Sequence, residues 1–358
     1  MTAVDYLIIG GGLAGLSAAA ALAPRGRVLV LEREEALGYH SSGRSAAMFE
    51  ANYGPAPVQA LSRASEAHHR THGCLSPRGL LLVGRADQAA RFETDCAELD
   101  LTPISVAAAC QMVPVLDPEQ VKFAASHDAA QDLDADLLLQ GFARELRAHG
   151  GDIRTRAAVT GLDRSTAGWQ VSCGDDVITA TTIINSAGAW ADELAQMAGI
   201  APIGLQPKRR SMARLPAPGG HDVTTWPMIM GVGESWYAKP DAGKLLVSPA
   251  DADPVPPQDA YADDMVLAEG LARYEEMVTT PVTRVEHNWA GLRSFVADGV
   301  PVLGPDPAVA SFVWCAGQGG YGVQSSPAAG RLIADLVTGQ TPDIDATNVA
   351  ALSPERLR

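Results

Sequence analysis

A glycine cluster at the start of the chain restricts the fold more than any other feature. Residues 4–10, Val-Asp-Tyr-Leu-Ile-Ile-Gly, form a short apolar run that ends in glycine. Such a run reads as a strand of a parallel sheet, buried on both faces. Gly10-Gly11-Gly12-Leu13-Ala14-Gly15 follows and matches the pattern G-x-G-x-x-G. Leu13 to Ala23 is rich in Ala and Leu and predicts a helix, stopped by Pro24. Arg27 to Glu32 predicts a second strand. In this βαβ unit each glycine has a task. Gly10 permits the tight turn, Gly12 lets the backbone approach a pyrophosphate, and Gly15 lets helix and strand pack closely. The helix N-terminus then faces phosphates, and Glu32, 20 residues after Gly12, can accept from ribose hydroxyls. The competing reading, a glycine turn with no ligand, is disfavoured by the strand before it and the helix after it. The pattern does not separate NAD from FAD.

Further along, residues 134–149 carry helical spacing with an Asp-rich start, and Gly150-Gly151 ends that helix. Ile153, Val159 and Leu162 lie on strands, as do Trp169-Gln-Val-Ser, Thr182-Ile-Ile-Asn-Ser, Lys244-Leu-Leu-Val-Ser and Phe312-Val-Trp-Cys-Ala. Asp298-Gly299 is a hairpin-type turn signal, and Gly330 to Val337 predicts a late helix. The order predicts a nucleotide-binding α/β domain made of separated segments, with a strand-rich domain inserted between them. At 358 residues and 47% apolar, the chain has room for both cores.

Five segments carry a resemblance. They are Gly38-Tyr-His-Ser-Ser-Gly-Arg-Ser-Ala-Ala47, Leu205-Gln-Pro-Lys-Arg-Arg-Ser211, Glu234-Ser-Trp-Tyr-Ala-Lys-Pro240, Trp289-Ala-Gly-Leu-Arg-Ser-Phe-Val-Ala-Asp-Gly299 and Ala316-Gly-Gln-Gly-Gly-Tyr-Gly-Val-Gln324. Together they resemble the D-amino-acid oxidase family of flavoproteins over nearly the whole chain, and within it the bacterial D-arginine dehydrogenases most of all. The resemblance implies a Rossmann-like FAD-binding domain with an inserted α+β substrate domain of mixed, mainly antiparallel sheet, a flavoprotein of the glutathione-reductase type. It assigns 1–80, 138–208 and 287–358 to the first domain and 81–137 and 209–286 to the second. It implies non-covalent FAD held along Gly10, Gly12, Leu13, Ala14, Gly15, Glu32, Arg33, Ser41, Ser42, Arg44, Ser45, Ala47, Val159, Ala187, Gly188, Gly320, Tyr321, Gly322, Val323 and Gln324. It places the substrate carboxylate on Arg210 and Arg293, with Tyr53 and Tyr237 beside it and the Gly320 carbonyl at the amine. The implied reaction is oxidation of the Cα–N bond of a free D-amino acid, hydride passing from Cα to flavin N5. The imino acid then hydrolyses to a 2-oxo acid and ammonia.

Arginine forks suit such a substrate, because they grip carboxylates in a bidentate manner. Taken alone, Arg210 reads as part of the surface cluster with Lys208 and Arg209, and Arg293 as a structural ion pair. Tyr237 alone reads equally as a packed aromatic. Oxidation of glycine- or sarcosine-type amines, or of a 2-hydroxy acid, would use the same carboxylate capture. A non-catalytic flavin-binding subunit is a further alternative, against which Arg210, Tyr237 and Arg293 together count.

One departure bears on the substrate side chain. In D-arginine dehydrogenases a glutamate shortly after a Ser-Pro-Arg run receives the guanidinium. Here Ser76-Pro77-Arg78 is followed by Gly79-Leu80-Leu81, which puts Leu80 at that position. Met48 and Glu50 stand where those relatives carry histidine and threonine. Leu80 and Met48 predict an apolar pocket that disfavours a buried guanidinium, unless Glu50 swings in as the counter-charge.

Other candidates are weaker. His68, His69 and His72 suit one helical face better than a metal, and Asp132, Asp134 and Asp136 read as helix capping rather than a calcium loop. The cysteines 74, 96, 110, 173 and 315 form no C-x-x-C pair, and Cys315 reads as a buried strand cysteine rather than a flavin attachment point. A formal net charge of −15 disfavours nucleic acid and anionic membrane surfaces as partners. No run is long enough to span a bilayer and no basic leader precedes the first strand, so a cytoplasmic location is expected. The electron acceptor is not legible.

Overall fold

The computed structural model describes residues 2–166 and 168–358. Its first sheet is built around Thr2–Ile9, which pairs in parallel with Val28–Leu31 on one side and Asp176–Asn185 on the other. Asp152–Arg154 continues the sheet beyond Val28–Leu31, and Phe312–Ala316 joins in parallel beside Asp176–Asn185. Gly168–Cys173 and Val159–Ser165 add an antiparallel extension. All four residues of Val28–Leu31 and all five of Phe312–Ala316 are buried, as expected of strands covered on both faces.

The helix Leu13–Leu22 covers one face together with Gly322–Thr338 and Ala135–Ala148. Its small residues let the helices approach closely: a Cβ on Gly330 would stand 2.4 Å from the Ser17 carbonyl carbon. The late helix is longer than its apolar pattern predicts, because it begins at Gly322, inside the glycine-rich run. Asp134 caps Ala135–Ala148 by accepting from the Leu137 N–H at 2.8 Å.

The second sheet has eight strands in the order His287–Phe295, Gln206–Leu215, Lys244–Ser248, Tyr237–Asp241, Met228–Gly231, Leu80–Gly84, Phe123–His127, Thr102–Ile104. Every pairing is antiparallel except Met228–Gly231 with Leu80–Gly84. Alternation sorts its side chains onto two faces. Leu81, Val83, Ala213, Ile229, Ala238 and Val247 join one core with Leu267, Leu271 and Tyr274 of the helix Asp264–Glu275. Leu80, Leu82, Met212, Met230, Tyr237 and Leu246 fall in another, with Met48 and Tyr53 packed against it. A small sheet of Met48–Phe49, Gln131–Leu133 and Leu75–Pro77 lies between the two large ones in chain connectivity.

The architecture is thus the mixed α/β type expected from the sequence, one sheet flanked by helices and a second, mainly antiparallel one. We draw the domain division where the sheets change. Gln206–Leu215 and His287–Phe295 pair from Gln206↔Phe295 to Arg214↔His287 in the second sheet, and we propose boundaries at 205/206 and 295/296 in place of 208/209 and 286/287. Asp298-Gly299 is a turn, with Gly299 at φ +72°, but not a hairpin. The strands on either side of it, His287–Phe295 and Val302–Pro305, pair in different sheets.

Candidate active site

A cavity of about 370 Å³ runs from the C-terminal end of the second strand to the face of the second sheet. At one end it is lined by Glu32 and Arg33, then by Gly10, Gly12, Leu13 and Ala14, and at the other end by Arg210, Tyr237, Arg293 and Gly320. Ser41, Ser42, Arg44, Ser45, Val159, Ala187, Gly188, Gly322 and Val323 also line it.

The glycine turn is shaped by close approach. Gly10 sits at φ +115°, and a Cβ there would stand 2.2 Å from the Ser186 carbonyl oxygen. A Cβ on Gly15 would stand 2.0 Å from the Gly10 carbonyl oxygen. Gly15 therefore acts by packing, and it does not line the cavity. Glu32 is buried; its Oε2 accepts from the Gly11 N–H at 2.7 Å and its Oε1 from the Glu34 N–H at 2.9 Å. The Ser42 hydroxyl accepts from the Leu13 N–H at 3.0 Å. Arg44 staples the 38–47 segment to the second sheet, donating to the carbonyls of Ala260 at 2.8 Å and Ala290 at 3.1 Å. The Arg33 guanidinium stacks on Trp190, its carbon 3.8 Å from the ring centroid. Trp190 lines the cavity and was not read from the sequence.

These residues fit FAD. The helix Leu13–Leu22 opens at Gly12, which has no side chain to cap it, and with only the Leu13 N–H taken by Ser42 its N-terminus lies at the cavity that Gly10, Gly12, Leu13 and Ala14 line. An acid closes the strand where a ribose is recognised. Gly10, Gly12, Leu13 and Ala14 would hold the pyrophosphate, Glu32 the ribose, and Ser45 and Ala46 with Gly319, Gly320, Gly322 and Val323 the ring end.

The arginines come together through strand register. Arg293 pairs with Lys208, and Arg210 lies two residues farther along the same strand, so the two guanidiniums share one face. The Arg293 side chain rests against Gly320, so close that a Cβ there would meet Nη1 at 3.0 Å. The Tyr237 ring lies beside Arg210, 5.9 Å from ring centroid to guanidinium carbon. Tyr53 does not line the cavity; burial holds its phenol protonated well above the ordinary range.

An acid that the sequence reading passed over stands among them. Glu234 Oε1 accepts from Arg210 Nη1 at 2.8 Å and from Arg293 Nη1 at 3.4 Å. The Tyr53 hydroxyl donates to the same carboxylate at 3.2–3.3 Å. Burial would raise the Glu234 carboxyl, but the two guanidiniums outweigh it and hold it below the usual range. An acid three residues before Tyr237, within a segment already marked by its resemblance, was the available signal.

Met48, Leu80 and Tyr53 gather with Met212, Met230 and Tyr237 in one apolar cluster, of which Met212 and Tyr237 line the cavity. Glu50 is engaged elsewhere. Its Oε1 accepts from the Asn52 N–H at 2.9 Å, and its Oε2 is 3.1 Å from His127 Nε2, an ion-pair contact outside hydrogen-bond geometry. Contact with Glu50 raises the His127 imidazole above its ordinary value against the effect of burial. Arg78 is held by Asp132 at 2.8 and 2.5 Å.

Besides Gly15, three residues expected on the cofactor stand off the cavity. Gln324 is buried; its Oε1 accepts from the Glu50 N–H, its Nε2 donates to Ser62, and its carbonyl contacts His69 Nε2 at 2.7 Å. Tyr321 packs edge-on against Tyr53, with centroids 5.3 Å apart. The Ala47 carbonyl accepts from Lys239 at 3.2 Å. Cys315 is fully buried, and burial pushes its thiol up to about 12. Among the described residues no group of His, Cys, Asp and Glu could hold a metal ion, and no helix is long and apolar enough to cross a membrane.

The family model described as FAD dependent oxidoreductase, DAO, matches residues 5–336. A glycine oxidase of Pseudomonas putida is 27% identical over 366 residues, covering 95% of this chain and 96% of that protein. Among solved structures, glycine oxidase from Geobacillus kaustophilus superposes with a TM-score of 0.84 at 21% identity, over 99% of this chain and 98% of the other. L-proline dehydrogenase from P. horikoshii superposes at 0.83 and 21% identity, over the same shares of the two chains. At that identity the structural likeness is one of fold.

Proposed function

The chain belongs to the DAO family of FAD-dependent oxidoreductases, and on that premise we propose that it oxidises the Cα–N bond of a free amino acid, a D-amino acid with a neutral or apolar side chain. The observation that carries the reading is the pair Arg210 and Arg293, set by strand register on one face and lining the same cavity as the glycine turn. Two guanidiniums at the inner end of such a cavity suit a substrate carboxylate. The D configuration rests on the resemblance of the motif segments.

In this reading Arg210 and Arg293 bind the carboxylate and fix the orientation of Cα, which is where most of the rate advantage of a positioned substrate arises. Tyr237 flanks the carboxylate. The phenol of Tyr53, kept protonated by burial, acts as a donor and not as a base. The Gly320 carbonyl, beside Arg293, accepts from the substrate amine, whose proton leaves to water. FAD, when bound, supplies the two-electron acceptor. The oxidised substrate is an imino acid, which water hydrolyses to a 2-oxo acid and ammonia. The side chain would meet Met212, which lines the cavity, while Met48, Leu80 and Met230 lie in the same apolar cluster off the cavity. The engagement of Glu50 by Asn52 and His127 argues against its serving as a counter-charge for a guanidinium.

A second reading is oxidation of a small or secondary amine, favoured by relatives named for glycine and L-proline. Anaerobic mixing of the FAD-loaded protein with D- and L-amino acids, sarcosine, L-proline and 2-hydroxy acids decides between them. Fastest bleaching by D-methionine, D-leucine or D-phenylalanine, with ammonia formed, is the expected result. Bleaching by sarcosine or L-proline alone would establish the second reading, and a clear preference for D-arginine would overturn the apolar pocket.

A further inference from the structure

We propose that Glu234 is a specificity-determining residue, a fixed internal carboxylate that leaves the arginine clamp with room for one substrate carboxylate and repels a second. This rests on the reading of Arg210 and Arg293 as the carboxylate clamp.

Three observations carry it. The first is the charge balance. Two guanidiniums and one carboxylate meet at 2.8 and 3.4 Å, so the cluster carries one net positive charge. A single monoanion neutralises it. A dianion would leave the cluster, Glu234 included, with one net negative charge in a part-buried site, where like charges are poorly screened.

The second is location. Arg210 and Arg293 line the cavity but Glu234 does not, so it grips the arginines from another side than the one a cavity ligand would use. Arg210 Nε is buried and has no hydrogen-bond partner among the described residues.

The third is the rigidity of the loop that presents it. Gly233 and Glu234 both sit at positive φ, +71° and +52°. The Gly233 N–H donates to Asp95 Oδ2 at 2.6 Å, and Asp95 is itself buried and paired with Arg91 at 2.7 Å. The Gly231 N–H donates to the Trp236 carbonyl at 3.0 Å, and Arg273 Nε donates to the Ser235 carbonyl at 3.0 Å. A left-handed non-glycine residue persists only where its surroundings over-determine it. Held on both sides, Glu234 stays in place when a ligand arrives and is not an anion waiting to be displaced.

The test uses two anions of equal carbon count, butanoate and succinate, with monomethyl succinate as a larger monoanion. Each is titrated into the FAD-loaded protein, and binding is followed by the perturbation of flavin absorbance, without turnover. The wild-type protein is expected to bind both monoanions at least roughly tenfold more tightly than succinate, and E234Q to lose that discrimination. E234A gives the same reading if E234Q fails to load FAD. Unchanged discrimination in either variant, or tighter binding of succinate than butanoate by the wild type, overturns the role of Glu234 while leaving the clamp intact. Failure of the wild type to bind any of the three overturns the clamp as well.

Discussion

In the proposed function Arg210 and Arg293 hold the substrate carboxylate and aim the bond next to it, so losing either would affect binding and rate together. Replacing Arg293 or Arg210 with Met is expected to raise KM and lower kcat with FAD retained. A lost charge-assisted bond costs about 1.5–3 kcal/mol, or roughly 10–150-fold in kcat/KM. Steady-state kinetics on the best amino acid checks this, and unchanged constants would remove that arginine from the site. The pair Glu50 and His127 offers a different kind of test. The folded imidazole is held above its ordinary value, chiefly by Glu50. Stabilisation from this pair is therefore complete below the unfolded histidine's value and disappears as pH rises through the folded one. The difference in Tm between wild type and E50Q should be largest on the acid side of neutrality and shrink in mildly alkaline buffer. A difference that grows with pH would reverse the assignment.

At the scale of elements, both ends of the cavity depend on backbone placement. The antiparallel register of Gln206–Leu215 with His287–Phe295 puts both guanidiniums on one face, and a slip of one residue would turn one of them away. At the other end, Gly15 permits the helix Leu13–Leu22 to lie against the turn that precedes it. Its Ala variant would bring a methyl carbon within 2.0 Å of the Gly10 carbonyl oxygen, so helix and turn must separate. Gly15→Ala is expected to lower FAD content at purification and to reduce Tm, read by flavin absorbance per chain and by thermal melts. Full loading at wild-type Tm would show that the contact yields without cost.

For the whole molecule, residues of both large sheets line the same cavity. The cysteine expected nearest the flavin is sealed in the core, its thiol pushed up to about 12 and its sulfur 3.6 Å from the Ala14 carbonyl oxygen. A thiol so buried is a poor nucleophile. Acid precipitation should therefore release all the yellow colour into the supernatant, as FAD and not FMN. Colour retained in the pellet would mean a covalent link.

The first βαβ unit was legible because local rules dictate it. Apolar strands, a glycine turn that tolerates no side chain, and an acid at a fixed spacing all lie within the first 32 residues. The capping of Ala135–Ala148 by Asp134 was legible for the same reason. Arg210 and Arg293 could be named from their segments, but their meeting depends on a pairing between strands some eighty residues apart, which no local pattern encodes. The same distance hid the membership of His287–Phe295 in the second sheet, the stacking of Arg33 on Trp190, and the engagement of Glu50 by His127. It also hid Glu234, which is presented to the arginines from a loop that Asp95 and Arg273 hold through its backbone. Local sequence settled which elements form and where a dinucleotide can lie. Long-range packing decided which charges face one another, and so what the inner end of the cavity can hold.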